Sequence, residues 1–307
     1  MDEALLIFYL RPARQRARAT ATAEALCLLR DLSATAPAGG PLSEQGGLFW
    51  VALPAHALER ARARLPLLGY TYAVDLAEPA QEHEAGEQPG ARNRLVRWRR
   101  RLYRLFRHYE EDPERLRESA PDRRTFAFET EAGEVRAIRG YRGDSGSLSR
   151  RGLPVPDARM LVNLAFVGAG AAFRDPFAGV GGIVLEALAH AYGVLSCDRD
   201  TALRHGLSSL GATHLVADAR RLPLGAVTVD TIATEPPYER EAEDPVVASF
   251  VEMHRVLKDG GRLAMLCAAW QVEGLRQRAA SIGLISYHEA PIDRKGTECA
   301  VLAWEKR

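Results

Sequence analysis

The chain has 307 residues, 47% hydrophobic and 26% charged, enough to bury one large core or two ordinary ones and too apolar for a disordered chain. A formal net charge of +1 excludes indiscriminate nucleic-acid binding by the whole molecule, and no apolar run approaches the roughly 20 residues needed to span a bilayer. Met1 to Leu10 carries acids instead of a basic leader, and Cys27, Cys197, Cys267 and Cys299 lack any C-x-x-C pairing, so a cytoplasmic protein with buried free thiols, no membrane partner and no metal is expected.

Residues 4 to 80 read as a β-α-β-α-β unit. Leu5 to Leu10, Gly47 to Leu53 and Tyr70 to Leu76 have strand length and alternation, and Thr20 to Leu32 and Ala57 to Leu65 have helical periodicity. Glu78 to Ala91 is polar and punctuated by Gly and Pro, as a linker is. Arg92 to Arg107 then holds eight arginines and no acid. Leu95, Trp98, Leu102, Leu105 and, just beyond it, Tyr109 recur at helical spacing, which predicts a helix with one apolar stripe and an arginine-covered remainder. Arg97, Arg100, Arg101 and Arg104 are its candidate phosphate contacts, because guanidinium offers paired planar donors. The other reading is a linker helix whose arginines are solvated or paired with Glu110, Glu111, Asp112 and Glu114.

Phe126 to Ile138 is expected to form a hairpin around Ala132-Gly133, and Asp157 to cap a helix from Ala158 to Phe166. Beyond it, strands at 172–176, 194–198, 214–217, 231–234 and 263–268 alternate with helices at 181–191, 200–209, 246–257 and 272–282. That alternation predicts an open parallel sheet covered on both faces, with ligands at the carboxyl ends of its strands. Leu284 to His288 and Cys299 to Trp304 have no helix between them and read as an antiparallel hairpin.

Chemistry concentrates at those strand ends. Asp175-Pro-Phe177-Ala-Gly179-Val-Gly181-Gly182 ends one apolar run and opens a helix, where glycines let the backbone approach a ligand at unpaired N–H groups. Asp198 ends the next strand, where it could hold the hydroxyls of a ribose, and Asp218 ends the third, where it could accept from an adenine amino group. Glu235-Pro236-Pro237-Tyr238 ends the fourth in a turn whose prolines cannot continue a sheet ladder, which aims a carboxylate and an aromatic ring at the same crevice.

These motifs, with Cys197-Asp198-Arg199-Asp200, Ala217-Asp218-Ala219-Arg220 and Val256-Leu257-Lys258-Asp259-Gly260-Gly261, resemble the successive motifs of class I S-adenosylmethionine-dependent methyltransferases. Within that superfamily the chain is most similar to the tRNA guanosine N2-methyltransferase group. The resemblance implies a Rossmann-like α/β methyltransferase domain over 151–307, a mostly parallel seven-stranded sheet ending in an antiparallel hairpin. It further implies a small α+β ferredoxin-like domain over 1–80, joined by a linker over 81–150. S-adenosylmethionine is the implied cofactor, held by Asp175, Phe177, Gly179, Gly181, Asp198 and Asp218. The implied substrate is the exocyclic N2 amine of guanosine in RNA, tRNA in particular, received by Glu235, Pro236, Pro237 and Tyr238. In that group the acid and the carbonyl of Pro236 accept the two amine protons while the tyrosine stacks on the base. Glu235 departs from the usual Asp or Asn of that motif. Two alternatives stay open: N6-methylation of adenine in DNA or RNA, and a cofactor-binding scaffold that transfers nothing. No protein partner or homodimer is signalled.

Overall fold

The computed structural model describes residues 3–36, 47–77, 102–107, 125–129, 135–139, 152–294 and 297–307. The chain divides into two compact units, Met1–Glu110 and Glu111–Arg307.

In the first unit, β1 (Glu3–Leu10), α1 (Arg18–Leu28), β2 (Leu48–Pro54), α2 (Leu58–Arg64), β3 (Thr71–Ala77) and β4 (Leu102–Arg107) follow one another. The strands form a wholly antiparallel sheet in the order β2-β1-β3-β4. Leu6, Phe8 and Leu10 alternate into the core, where Phe8 stacks on Phe49 with ring centroids 4.7 Å apart. Buried Glu24 of α1 accepts from the backbone N–H groups of Gly69 and Tyr70 at 2.6 and 3.0 Å, which fixes the helix to the entry of β3.

Over the described residues this unit follows the β-α-β-β-α-β order of a ferredoxin-like domain: Thr35, after α1, bridges antiparallel to Ala52 of β2 where the second strand of that order falls, β2 and β3 flank β1, and β4 adds an edge strand. One expectation changes here. The arginine-rich segment, over its described part, is strand and not helix. Its backbone finds ladder partners on β3, from Ala73↔Arg107 to Ala77↔Leu102, and tertiary pairing outweighs local propensity. Arg104 also meets a partner there: its guanidinium is ion-paired with buried Asp75, which accepts from the Tyr9 hydroxyl at 2.7 Å, and it lies 5.4 Å from the Tyr9 ring centre. Arg97, Arg100 and Arg101 lie outside the described residues.

In the second unit an antiparallel pair, β5 (Thr125–Glu129) and β6 (Val135–Arg139), lies where the sequence places the two arms of a hairpin, and Ala132-Gly133 between them lies outside the described residues. A seven-stranded sheet follows. Its strands are β7 (Ala172–Asp175), β8 (Gly193–Asp198), β9 (Thr213–Val216), β10 (Val229–Thr234), β11 (Leu257–Ala268), β12 (Leu284–Arg294) and β13 (Thr297–Lys306). The helices are α3 (Val155–Leu164), α4 (Gly182–Ala189), α5 (Arg204–Ser208), α6 (Glu243–Val256) and α7 (Val272–Ser281). The order is β12-β13-β11-β10-β7-β8-β9. The strands from β7 to β11 run parallel, and β13 enters antiparallel between β11 and β12. This is the class I methyltransferase architecture that the sequence predicts.

Side-chain alternation along β10 assigns the two faces. Ile232 packs with Phe250 and Met253 of α6, Leu275 of α7 and Trp304 of β13, whereas its neighbour Thr231 donates its hydroxyl to the carbonyl of Ala165, just past α3. Phe250 meets Trp304 edge to face at 5.2 Å. The chain builds β7, β8 and β9 outward in one direction, then crosses back to build β10 and β11 on the other side of β7. Strand order therefore reverses between β7 and β10, and the crevice at their carboxyl ends is the topological switch point where ligands of such sheets bind.

Candidate active site

β7 delivers Asp175 to that crevice. Its carboxyl is only 1% exposed; Oδ1 accepts from the Phe177 N–H at 3.2 Å and from the Thr234 hydroxyl at 2.7 Å. The second bond joins the ends of β7 and β10 across the switch point. Oδ2 is buried and has no hydrogen-bond partner among the described residues. Burial pushes the carboxyl up to about 7, against the lowering effect of the Thr234 and Phe177 bonds and with a further push from Asp198 and Glu235.

The glycine turn follows. Gly179 and Gly181 have φ of +51° and +81°, the left-handed region that β-carbons disfavour. A Cβ on Gly179 would meet open space, whereas one on Gly181, the residue before α4, would lie 2.2 Å from Leu210 Cδ1. The Gly179 N–H donates to Asp198 Oδ2 at 2.8 Å, and Asp198 Oδ1 accepts from the Asp200 N–H at 2.9 Å. Asp198 thus braces the turn from the end of β8 while staying partly open to solvent. The Ala217 N–H reaches the Asp198 carbonyl at 3.0 Å, which sets Asp218 beside it. Arg220 holds Asp218 at 2.6 Å and keeps its carboxyl below the usual range. Phe177 is partly buried against the core that α6 and α7 cover.

On the other side of the switch point, the turn after β10 is held rigid from outside. Pro236 is buried, and the carbonyl of Pro237 accepts from Gln271 Nε2 at 3.0 Å, while Gln271 Oε1 accepts from the Ala268 N–H at 3.0 Å. Glu235 already has partners within the chain. Its Oε1 accepts from the Tyr238 hydroxyl at 2.5 Å and is ion-paired with Arg294, whose Nη1 also donates to the Tyr238 oxygen at 3.0 Å. Burial raises the Glu235 carboxyl, and Arg294 and Tyr238 pull it back. Burial, then the Glu235 charge, also lifts the Tyr238 phenol well above its ordinary range, so it stays protonated and donates.

Sequence reasoning missed Arg294, Gln271 and Thr234. Arg294 sits at the tip of the β12–β13 hairpin, paired in register with Thr297, and 59 residues separate it from Glu235. No spacing rule connects them. Asp157 was expected as a helix cap but lies inside the first turn of α3, fully buried, because the Pro154-Val155-Pro156 run starts the helix earlier. Its Oδ2 is 3.9 Å from Arg294 Nε.

No protein-family model matches the chain. Over 122 residues it is 35% identical to a tRNA (guanine(10)-N2)-dimethyltransferase of Methanothermobacter thermautotrophicus, an alignment covering 35% of this chain and 36% of that one. The chain therefore spans about a third of the length of the curated relative it matches. Among solved structures it is similar to TrmN from Thermus thermophilus, at 20% identity and a TM-score of 0.48 over 99% of this chain and 100% of that one. It is also similar to a TehB-like SAM-dependent methyltransferase from Corynebacterium glutamicum, at 20% identity and a TM-score of 0.40 over 49% and 87%. Neither TM-score reaches 0.5, so the fold rests on the strand order and register described above.

Proposed function

We propose that the chain is an S-adenosylmethionine-dependent methyltransferase acting on the N2 amine of guanosine in RNA, tRNA in particular. One observation carries the reading: the glycine turn braced by Asp198 and the Glu235-Pro-Pro-Tyr238 turn flank a single switch point, joined by the Thr234 to Asp175 bond. A donor pocket and an amine-receiving turn therefore share one crevice. The named relative, a tRNA guanine-N2 dimethyltransferase, supports guanosine over adenine.

The residues present fit the cofactor. Buried Asp175 Oδ2 has no partner among the described residues and suits a cationic group, and the open space over Gly179 lets a ligand approach the backbone. Asp198 suits the ribose hydroxyls and Asp218 the adenine amine, with Phe177 and Gly181 shaping the turn. When bound, S-adenosylmethionine supplies an electrophilic methyl group. The chain's own contribution is placement: Glu235 and the Pro236 carbonyl accept from the amine, Tyr238 lies beside the base, and the Gln271 clamp on Pro237 keeps the turn from yielding. A paired base must first be swung out of its stack.

The test is nucleoside mass spectrometry of tRNA from cells with and without the protein. N2-methylated guanosine should fall in its absence. Unchanged N2-methylguanosine with lowered N6-methyladenosine would replace this reading by the adenine alternative, and no change in any nucleoside would favour a scaffold.

A further inference from the structure

A glutamate has three side-chain torsions between backbone and carboxylate, so an acceptor that must meet an amine within a fraction of an ångström needs something to hold it. In this chain Arg294 and Tyr238 meet Glu235 at one oxygen only, and Oε2 accepts no hydrogen bond from the described residues. Nor is Oε2 among the sealed, partnerless atoms. We propose that Arg294 is a positioning residue for methyl transfer: by fixing Glu235 Oε1 together with the Tyr238 hydroxyl, it leaves Oε2 as the acceptor for the substrate amine. The proposal rests on the guanosine-methyltransferase reading above.

The geometry separates this role from mere packing. The Pro-Pro turn has its own support in Gln271, so it does not depend on Arg294 for its shape. Arg294 comes from another element, the β12–β13 hairpin, and spans two acids, Glu235 and Asp157. The titratable groups around Glu235 are Arg294 on β12, Tyr238 on its own turn, Asp157 on α3, Asp175 on β7 and Cys299 on β13. Arg294 is the cation among them, and it draws the Glu235 carboxyl down.

The experiment uses the full chain, a pool of unmodified tRNA transcripts and methyl-labelled S-adenosylmethionine. Arg294→Gln should lower kcat about 100-fold, the effect of a misplaced reacting group, while S-adenosylmethionine Kd by calorimetry stays within about twofold of the wild type, which also reports folding. Arg294→Lys, which keeps the charge but not the planar fork, should recover part of the loss. The acid limb of the kcat against pH profile should move up by about one unit or more in Arg294→Gln, since a neighbouring cation has been removed from a carboxylate. Wild-type kcat in Arg294→Gln, an unmoved acid limb, or an equal loss of cofactor binding would each overturn the proposal while leaving the function standing. Absence of guanosine N2 transfer by the wild type would overturn the function, and the proposal with it.

Discussion

Replacing Asp175 by asparagine isolates the electrostatic cost of the switch point. The carboxyl sits at about 7 in the folded chain against an ordinary 3.8, a difference of about 3 units, worth about 4 kcal/mol at 1.36 kcal/mol per unit. Because the folded value is the raised one, the folded chain keeps a proton that the unfolded chain has lost between about pH 4 and pH 7. Stability from this group is therefore full below pH 4, declines as pH rises through that window and is flat above it. Asp175→Asn keeps the acceptor used by Phe177 and Thr234 and cannot ionise, but it puts an amide donor at the partnerless Oδ2 position, at a cost of about 1–3 kcal/mol. Near pH 5 the two proteins should be similarly stable. At pH 8 the variant should be the more stable by about 1–3 kcal/mol, the remainder of the ionisation penalty. Urea unfolding followed by circular dichroism at pH 5, 6, 7 and 8 measures the difference. Parallel pH dependences in wild type and variant would refute the assignment of this penalty to Asp175.

Asp198→Ala should weaken S-adenosylmethionine binding about 100-fold in calorimetry, because it removes both the proposed ribose acceptor and the brace on the Gly179 N–H. Tyr238→Ala should leave that affinity unchanged and abolish transfer to tRNA; matching losses in both variants would contradict the division between donor and acceptor turns. Gly181→Ala should destabilise by about 2–3 kcal/mol, combining left-handed strain with displacement of Leu210, whereas Gly179→Ala, with open space beside it, should cost only about 1 kcal/mol. Thermal unfolding midpoints that fall equally would argue against the Leu210 contact.

Much of the second unit was legible because each of its elements repeats a local signal. The apolar run, glycine turn and helix around Asp175, and the proline stop after Thr234, are short-range patterns whose geometry follows from backbone chemistry. The absence of any helical segment between Leu284 and Trp304 likewise exposed the hairpin. The arginine-rich segment misled because its leucines and aromatics fit a helical stripe, while the partner that decides the matter, β3 with its buried Asp75, lies far back in the sequence. The same limit hid Arg294 and Gln271. Their roles arise only when β10, β11 and β12 converge, and residue type alone distinguishes neither from any other polar residue on a strand or turn.

The inward placement of β13 has a bearing on how the molecule is made. β11 and β12 have no neighbour in the sheet to join them until Thr297–Lys306 is present, and Lys306 anchors that strand by donating to the carbonyls of His254 and Leu257. A chain that has emerged only as far as β12 already carries the glycine turn and the Pro-Pro turn. It lacks the strand that ties β12 into the sheet, so Arg294 is held against Glu235 only once β13 has paired.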